Sequence, residues 1–165
     1  MTGIEKWSAI NRTINDNHIA ILALQETHLD QDSLQRVKSC FGGRLKVVTS
    51  HHPDNPRATA GVAFVLNKSM INPSEYTLYE LVPGRAAALK IKWLENKESV
   101  LLNVYAPNDR SEQIIFWDSI NEKRQSLRLR RPDFMLGDFN MMEERLDQAP
   151  AHLDDLRAME ALRTL

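Results

Sequence analysis

Residues 18–28 read HIAILALQETH, an almost wholly apolar run from His18 to Leu24 that breaks without transition into Gln25-Glu26-Thr27-His28. A short run of this kind suits a strand covered on both faces, as in the interior of a layered α/β sandwich. Two later stretches repeat the pattern. Residues 99–108, SVLLNVYAPN, pass from apolar residues into Asn103, Tyr105 and Asn108. Residues 134–140, FMLGDFN, end in Gly137-Asp138-Phe139-Asn140. Polar clusters that follow apolar strands gather where loops converge on a rigid frame, the usual place for a site in a layered α/β fold.

Outward from these runs the chain alternates helical and strand patterns. Ile4, Trp7, Ile10 and Ile14 recur at helical spacing, with Asn15–Asn17 as a stop. A second helix is expected over Gln31–Ser39, halted by Gly42-Gly43, followed by a strand at Leu45–Thr49. After a Pro-bearing loop from His51 to Arg57 comes GVAFVL at 61–66. Pro83-Gly84 marks a turn into Arg85–Trp93, where Ala86, Ala88, Lys90 and Lys92 alternate with Ala87, Leu89, Ile91 and Trp93, the period of a strand. Asn96-Lys97 reads as a hairpin turn before Ser99–Tyr105. Asp109 and Ser111 are N-cap candidates for a helix over Glu112–Leu129, with Phe116, Trp117, Ile120 and Leu127 in one stripe and Pro132 ending it. Leu153, Leu156, Met159 and Leu162 mark a last amphipathic helix running up to Leu165. The pattern is one α/β domain with mixed strands and helices outside.

Composition narrows the class. The 165 residues carry 21 basic and 22 acidic side chains, a formal charge of −1, so attraction to nucleic acid has to come from a local patch. A single cysteine, Cys40, excludes an intramolecular disulfide and a cysteine-based zinc site. The start lacks an apolar run of signal-peptide length, and no stretch approaches a membrane helix. The expected setting is soluble and intracellular, nuclear or cytoplasmic, without a membrane partner.

Two carboxylates, a carboxamide and a phenol at strand ends are hard donors suited to Mg²⁺ and phosphate. Taken singly, each has a plainer reading. Glu26 can be a residue leaving a strand, Asp138 and Asn140 turn formers, and Tyr105 a half-buried strand aromatic. The run KRQSLRLRR, Lys123–Arg131, is a solvated helix face before it is a phosphate patch.

The order of four motifs, LALQETH, GVAFVLNK, LLNVYAPN and FMLGDFN, resembles the endonuclease/exonuclease/phosphatase superfamily. Within it the QETH and GDFN forms, with the trailing Leu146–His152, are most similar to the apurinic-endonuclease-like domain of non-LTR retrotransposons. The resemblance implies a four-layer α/β sandwich of DNase I type, dependence on Mg²⁺ (Mn²⁺ as substitute), and hydrolysis of a DNA phosphodiester by an in-line water. It makes Glu26 the metal ligand and Asp138 the group that orients and deprotonates water or shares in metal binding. Asn140 takes a phosphate oxygen, and Tyr105 contacts the phosphate or helps stabilise the leaving group. Asn103 joins Asn140 among the substrate-binding residues.

The resemblance also has gaps. The family's first strand carries an asparagine for which Asn11, in a helix, is no substitute, and its C-terminal strands carry an Asp-containing motif and a Ser-x-Asp-His. None of His18, His28, His51, His52 and His152 follows an aspartate. Residues 1–165 are therefore expected to be a single domain truncated at both ends, lacking the first strand and the C-terminal strands, with impaired or no activity. A reverse-transcriptase domain is expected in longer relatives. Two other readings are an active phosphoesterase working on another phosphate ester and a non-catalytic nucleic-acid-binding remnant using Lys123–Arg131.

Overall fold

The computed structural model describes residues 3–51, 61–72, 74–93, 97–140 and 156–165. In chain order the elements are α1 (Ile4–Asp16), β1 (Ile21–Leu24), α2 (Gln31–Phe41), β2 (Leu45–Ser50), β3 (Val62–Asn67), β4 (Tyr76–Val82), β5 (Ala86–Trp93), β6 (Lys97–Tyr105), α3 (Arg110–Ser126), β7 (Phe134–Asp138) and α4 (Leu156–Arg163). The strands form two sheets, ordered β1-β3-β2 and β4-β5-β6-β7. All pairs are antiparallel except β6 with β7, which run parallel.

Alternation along the strands builds three apolar layers. Val62, Phe64 and Leu66 of β3 meet Ala87 and Leu89 of β5 and Leu101 of β6 between the sheets. From the opposite face of β3, Val65 packs with Trp7, Ile10, Ile14 and Val37 of α1 and α2. Val100, Leu102 and Val104 of β6 pack with Phe116, Trp117 and Ile120 of α3 and Ala158 of α4. The result is helices, sheet, sheet, helices: the four layers expected from the motif order. GVAFVL is buried along its length because both of its faces are covered.

Helix α3 starts at the Asp109 cap read from the sequence, and α2 starts at Asp30, which the sequence pattern does not single out. The Asp30 side chain accepts from Ser33 N at 2.8 Å, and Asp109 accepts from Ser111 N and Glu112 N. Helix α3 stops short of the expected Leu129. Arg128 takes φ +51°, Leu129 N donates back to Arg124 O at 3.0 Å, and the Leu129 side chain is buried beneath the turn. Leu127 consequently leaves the buried stripe and is exposed. Lys97, read as a turn residue, pairs with Trp93 at the start of β6, while Asn96 lies outside the described residues. So do Leu146–His152 and Leu153. Strand β4 has no apolar run in sequence, because as an edge strand it buries only Leu81.

The two runs read as doubly covered strands are sheet edges. Within the described residues β1 pairs only with β3, and β7 only with β6. All four residues of β1 are half-buried, and Phe134 of β7 is 53% exposed. Their apolar character reflects the faces they turn to the layers above and below, whereas their outer edges lack a neighbour. Among the described residues no helix is long and apolar enough to cross a membrane.

Phe64 sits fully buried between the sheets. Phe64→Ala is expected to destabilise the domain by about 3–5 kcal/mol, measured as a fall in the urea midpoint with an unchanged slope.

Candidate active site

Strands β1, β6 and β7 deliver the three polar clusters to one end of the sandwich. Tyr105 is the last residue of β6 and lies in register with Asp138, the last of β7. Its hydroxyl donates to Glu26 Oε1 across the gap between the sheets. Asn103, Tyr105, Leu136 and Asp138 alternate onto the face of their sheet that meets the other sheet. Glu26, Tyr105, Asp138 and Asn140 are thus brought together.

The GDFN turn is fixed on several sides. Gly137 has φ +131°, and a Cβ there would lie 2.0 Å from Val104 O, so a glycine is the only residue that lets β7 approach β6 this closely. Asn140 adopts φ +47°, which asparagine tolerates better than most residues. Its N–H donates to Asp138 Oδ1 at 3.0 Å, and its Nδ2 donates to Ala106 O at 2.7 Å. Buried Gln113 of α3 donates through Nε2 to Asn140 O and Pro107 O, tying two strand-end loops together. Phe139 stacks on Trp117 at 5.9 Å between ring centroids. The aromatic between Asp138 and Asn140 is therefore an anchor into the core that leaves its polar neighbours at the surface.

Asn103 is placed differently from its motif companions. It is fully buried, and its Nδ2 donates to Leu24 O and Ala63 O, both at 3.0 Å, while its Oδ1 accepts from Gln25 Nε2 at 2.6 Å. Each of these partners belongs to the other sheet or to the loop leaving it. That loop is braced further by Thr27 N donating to Gly61 O, and Gly61 N to Gly84 O.

Arg85 is a site residue that the sequence pattern does not single out. Its guanidinium lies 5.5 Å from the centre of the Tyr105 ring, and its Nη1 donates to Tyr105 O at 3.4 Å. No carboxylate pairs with it among the described residues, so its charge stays available at the rim. The available signal is its position: a cation directly after the Pro83-Gly84 turn, opening a strand of alanines. Gln25 and Gln113 give no comparable signal, since their partners lie 78 and 27 residues away.

The Tyr105 phenol is pushed above its ordinary value, first by its hydrogen bond to Glu26, then by burial and the nearby carboxylate charges, with Arg85 opposing. Glu26 and Asp138 are exposed, and among the described residues each keeps one carboxylate oxygen without a hydrogen bond. Such a pair fits Mg²⁺, which binds through one or two carboxylates and otherwise through water and phosphate. Among the described residues no three His, Cys, Asp or Glu side chains form a closed metal cluster. The Lys123–Arg131 run is not one continuous cationic face. Arg130 is bidentate to Asp133 and bonded to Glu98 O, and Arg124 caps Leu129 O. Lys123, Arg128 and Arg131 remain exposed.

No protein-family model and no curated protein matches the sequence. Solved structures do match. One is the endonuclease domain of TRAS1, a telomere-specific non-LTR retrotransposon, with TM-score 0.60 and 16% identity over 96% of this chain and 62% of that one. The fold is that of the endonuclease/exonuclease/phosphatase proteins. A mannosyl-6-phosphatase from Bacteroides thetaiotaomicron has TM-score 0.64 at 15% identity, covering 97% of this chain and 61% of its own. Truncated TDP2 from Caenorhabditis elegans has TM-score 0.57 at 16% identity, covering 84% and 56%. The chain thus spans 56–62% of the length of these neighbours. The resemblance read from the four motifs and the observed fold agree.

Gly137→Ala is expected to lower stability by at least about 2 kcal/mol, read from denaturant midpoints, because the backbone clash and the positive φ act together. Glu26→Gln is expected to return the Tyr105 titration toward the ordinary 10.0. The raised value favours the protonated phenol, so the stability from this contact is complete below pH 10 and is lost as pH rises through the raised value. Stability of the wild type against the Tyr105→Phe variant across pH 8–12 (roughly the range around an ordinary phenol) checks the sign.

Proposed function

We propose that this chain carries part of a Mg²⁺-dependent phosphodiester hydrolase site of the DNA-endonuclease kind, derived from a retroelement and with impaired activity on its own. The observation that carries the reading is the Tyr105–Glu26 contact with Asp138 in register beside it, each carboxylate keeping an oxygen free among the described residues. The similarity in fold to the TRAS1 endonuclease domain supports DNA as the substrate class.

In this reading Glu26 would hold the metal ion, with Mn²⁺ as a substitute, and Asp138 serves the attacking water. The ion supplies charge neutralisation for the phosphoryl oxygens when bound. The free oxygen of Asp138 accepts a proton from the attacking water as the water oxygen bonds to phosphorus and the leaving alkoxide departs to be protonated by solvent. Tyr105, kept protonated, stands beside the phosphate, and its one hydroxyl hydrogen, held by Glu26 here, turns to a phosphoryl oxygen only as that contact opens. Asn140 has one amide hydrogen held by Ala106 O, so the other is the one directed at a phosphoryl oxygen. Arg85 adds a cation beside them, offsetting the negative charge of two carboxylates where a polyanion must approach.

A second reading, a phosphoesterase acting on a different phosphate ester, draws on the likeness to the mannosyl-6-phosphatase. The two are separated by substrate. On supercoiled plasmid with Mg²⁺, slow nicking is expected, and Asp138→Ala is expected to reduce it about 10²–10⁴-fold. Turnover of a sugar phosphate without nicking supports the second reading. Metal binding is tested independently: Mn²⁺ is expected to broaden the NMR signals around Glu26, Tyr105 and Asp138, and Glu26→Gln with Asp138→Asn to abolish this. Uniform broadening in both proteins overturns the metal assignment.

A further inference from the structure

The Glu26 backbone has φ +50°, a conformation that residues with a Cβ hold only when their surroundings fix them there. Glu26 is exposed and its one side-chain hydrogen bond among the described residues is to Tyr105, so the fixing is sought in its neighbours. On its C-terminal side, Thr27 N donates to Gly61 O at 3.1 Å. On its N-terminal side, Gln25 Nε2 donates to Asn103 Oδ1, and Asn103 Nδ2 donates to Leu24 O and to Ala63 O. Leu24 and Ala63 face each other on the last rung of the β1–β3 ladder. The Asn103 carboxamide, projecting from the other sheet, thus closes that rung from below and grips the residue that follows it.

We propose that the Gln25–Asn103 pair is the positioning device of the site: it locks the β1 exit so that the Glu26 carboxylate is presented to Tyr105. The catalytic meaning of this rests on the reading of Glu26 as a metal ligand. The positioning itself rests on geometry alone.

Asn103 and Tyr105 are two residues apart on β6 and share a face. Gln25 and Glu26 are adjacent in the loop. Strand β6 therefore meets two consecutive loop residues with two consecutive residues of one face, Asn103 taking Gln25 and Tyr105 taking Glu26. A slip of the loop breaks both contacts together. The chemistry at 103 is restrictive, because the position requires two donors and one acceptor on one short, fully buried side chain. An aspartate there offers no hydrogen to the Leu24 and Ala63 carbonyls, and an aliphatic residue leaves all three groups unpaired. Asn103 touches no solvent, so it acts through Gln25 and Glu26 and not on substrate.

The test reads Tyr105 directly. Tyrosine labelled with ¹³C at Cζ, assigned with Tyr105→Phe, is titrated in the wild type, Gln25→Ala, Asn103→Ala and Glu26→Gln. Glu26→Gln is expected to lower the Tyr105 titration point, and Gln25→Ala and Asn103→Ala to lower it in the same direction with Glu26 still present. Gln25 is half-buried at the loop, so its variant stays folded and decides the matter where Asn103→Ala does not. Mn²⁺ affinity is expected to fall at least about 10-fold in Gln25→Ala, as for other groups that orient a metal ligand. A wild-type Tyr105 titration in folded Gln25→Ala overturns the proposal, as does a Glu26→Gln protein whose Tyr105 titrates like the wild type. Failure of the metal reading appears elsewhere, as Mn²⁺ broadening that ignores Glu26→Gln while the tyrosine shifts still follow Gln25.

Discussion

One buried carboxamide joins the two sheets at the end where the polar groups collect. The interior of the interface between the sheets is largely apolar, built from Phe64, Leu66, Leu89, Ile91 and their neighbours, and apolar contacts carry little directional information. They set the distance between the layers and leave their relative slide weakly specified. Asn103 removes that freedom at one point, because its two donors meet fixed carbonyls on β1 and β3 and its acceptor meets Gln25. A buried polar group left unpaired is costly, so the arrangement tolerates little displacement. The contact between Tyr105 of one sheet and Glu26 of the other depends on that alignment.

The remaining supports of the site also come from packed elements. Helix α3 lies on the far side of its sheet from Glu26, yet Gln113 reaches the carbonyls of Pro107 and Asn140, and Trp117 receives Phe139. The residues exposed at the surface, Asp138 above all, are held by neighbours that are buried. Positive φ recurs there: Glu26 and Asn140 adopt it in the strand-end turns, as His18, His28 and Arg128 do elsewhere. Backbone conformations of this kind persist where the surrounding structure over-determines them.

Electrostatically the site gains nothing from the overall charge. The net charge of −1 gives no broad field to draw in a polyanion. The long basic run does not supply one as a unit either, since Arg124 and Arg130 serve the turn after α3 and the docking of Asp133 onto β6. Arg85, without a carboxylate partner among the described residues and leaning on Tyr105, is a cation that the fold places at the strand ends.

Much of this was legible in the residues themselves. The helical spacing of Trp7, Ile10 and Ile14, the cap at Asp109 and the strand at GVAFVL are consequences of local pattern, because periodicity and capping act within a few residues. The order of QETH, NVYAP and GDFN named Glu26, Tyr105, Asp138 and Asn140 as belonging to one place, and the fold brings them there. What pattern could not state was adjacency across the chain. An apolar run such as ILAL or FML looks the same at a sheet edge as at its centre, since only the number of neighbouring strands distinguishes them. The roles of Gln25, Asn103, Arg85 and Gln113 likewise depend on partners in other elements. Local sequence therefore determined which elements form and which polar side chains end the strands. The tertiary structure alone decided which strands are edges and which carboxamide locks the site, because hydrogen bonds between sheets depend on register and distance in space.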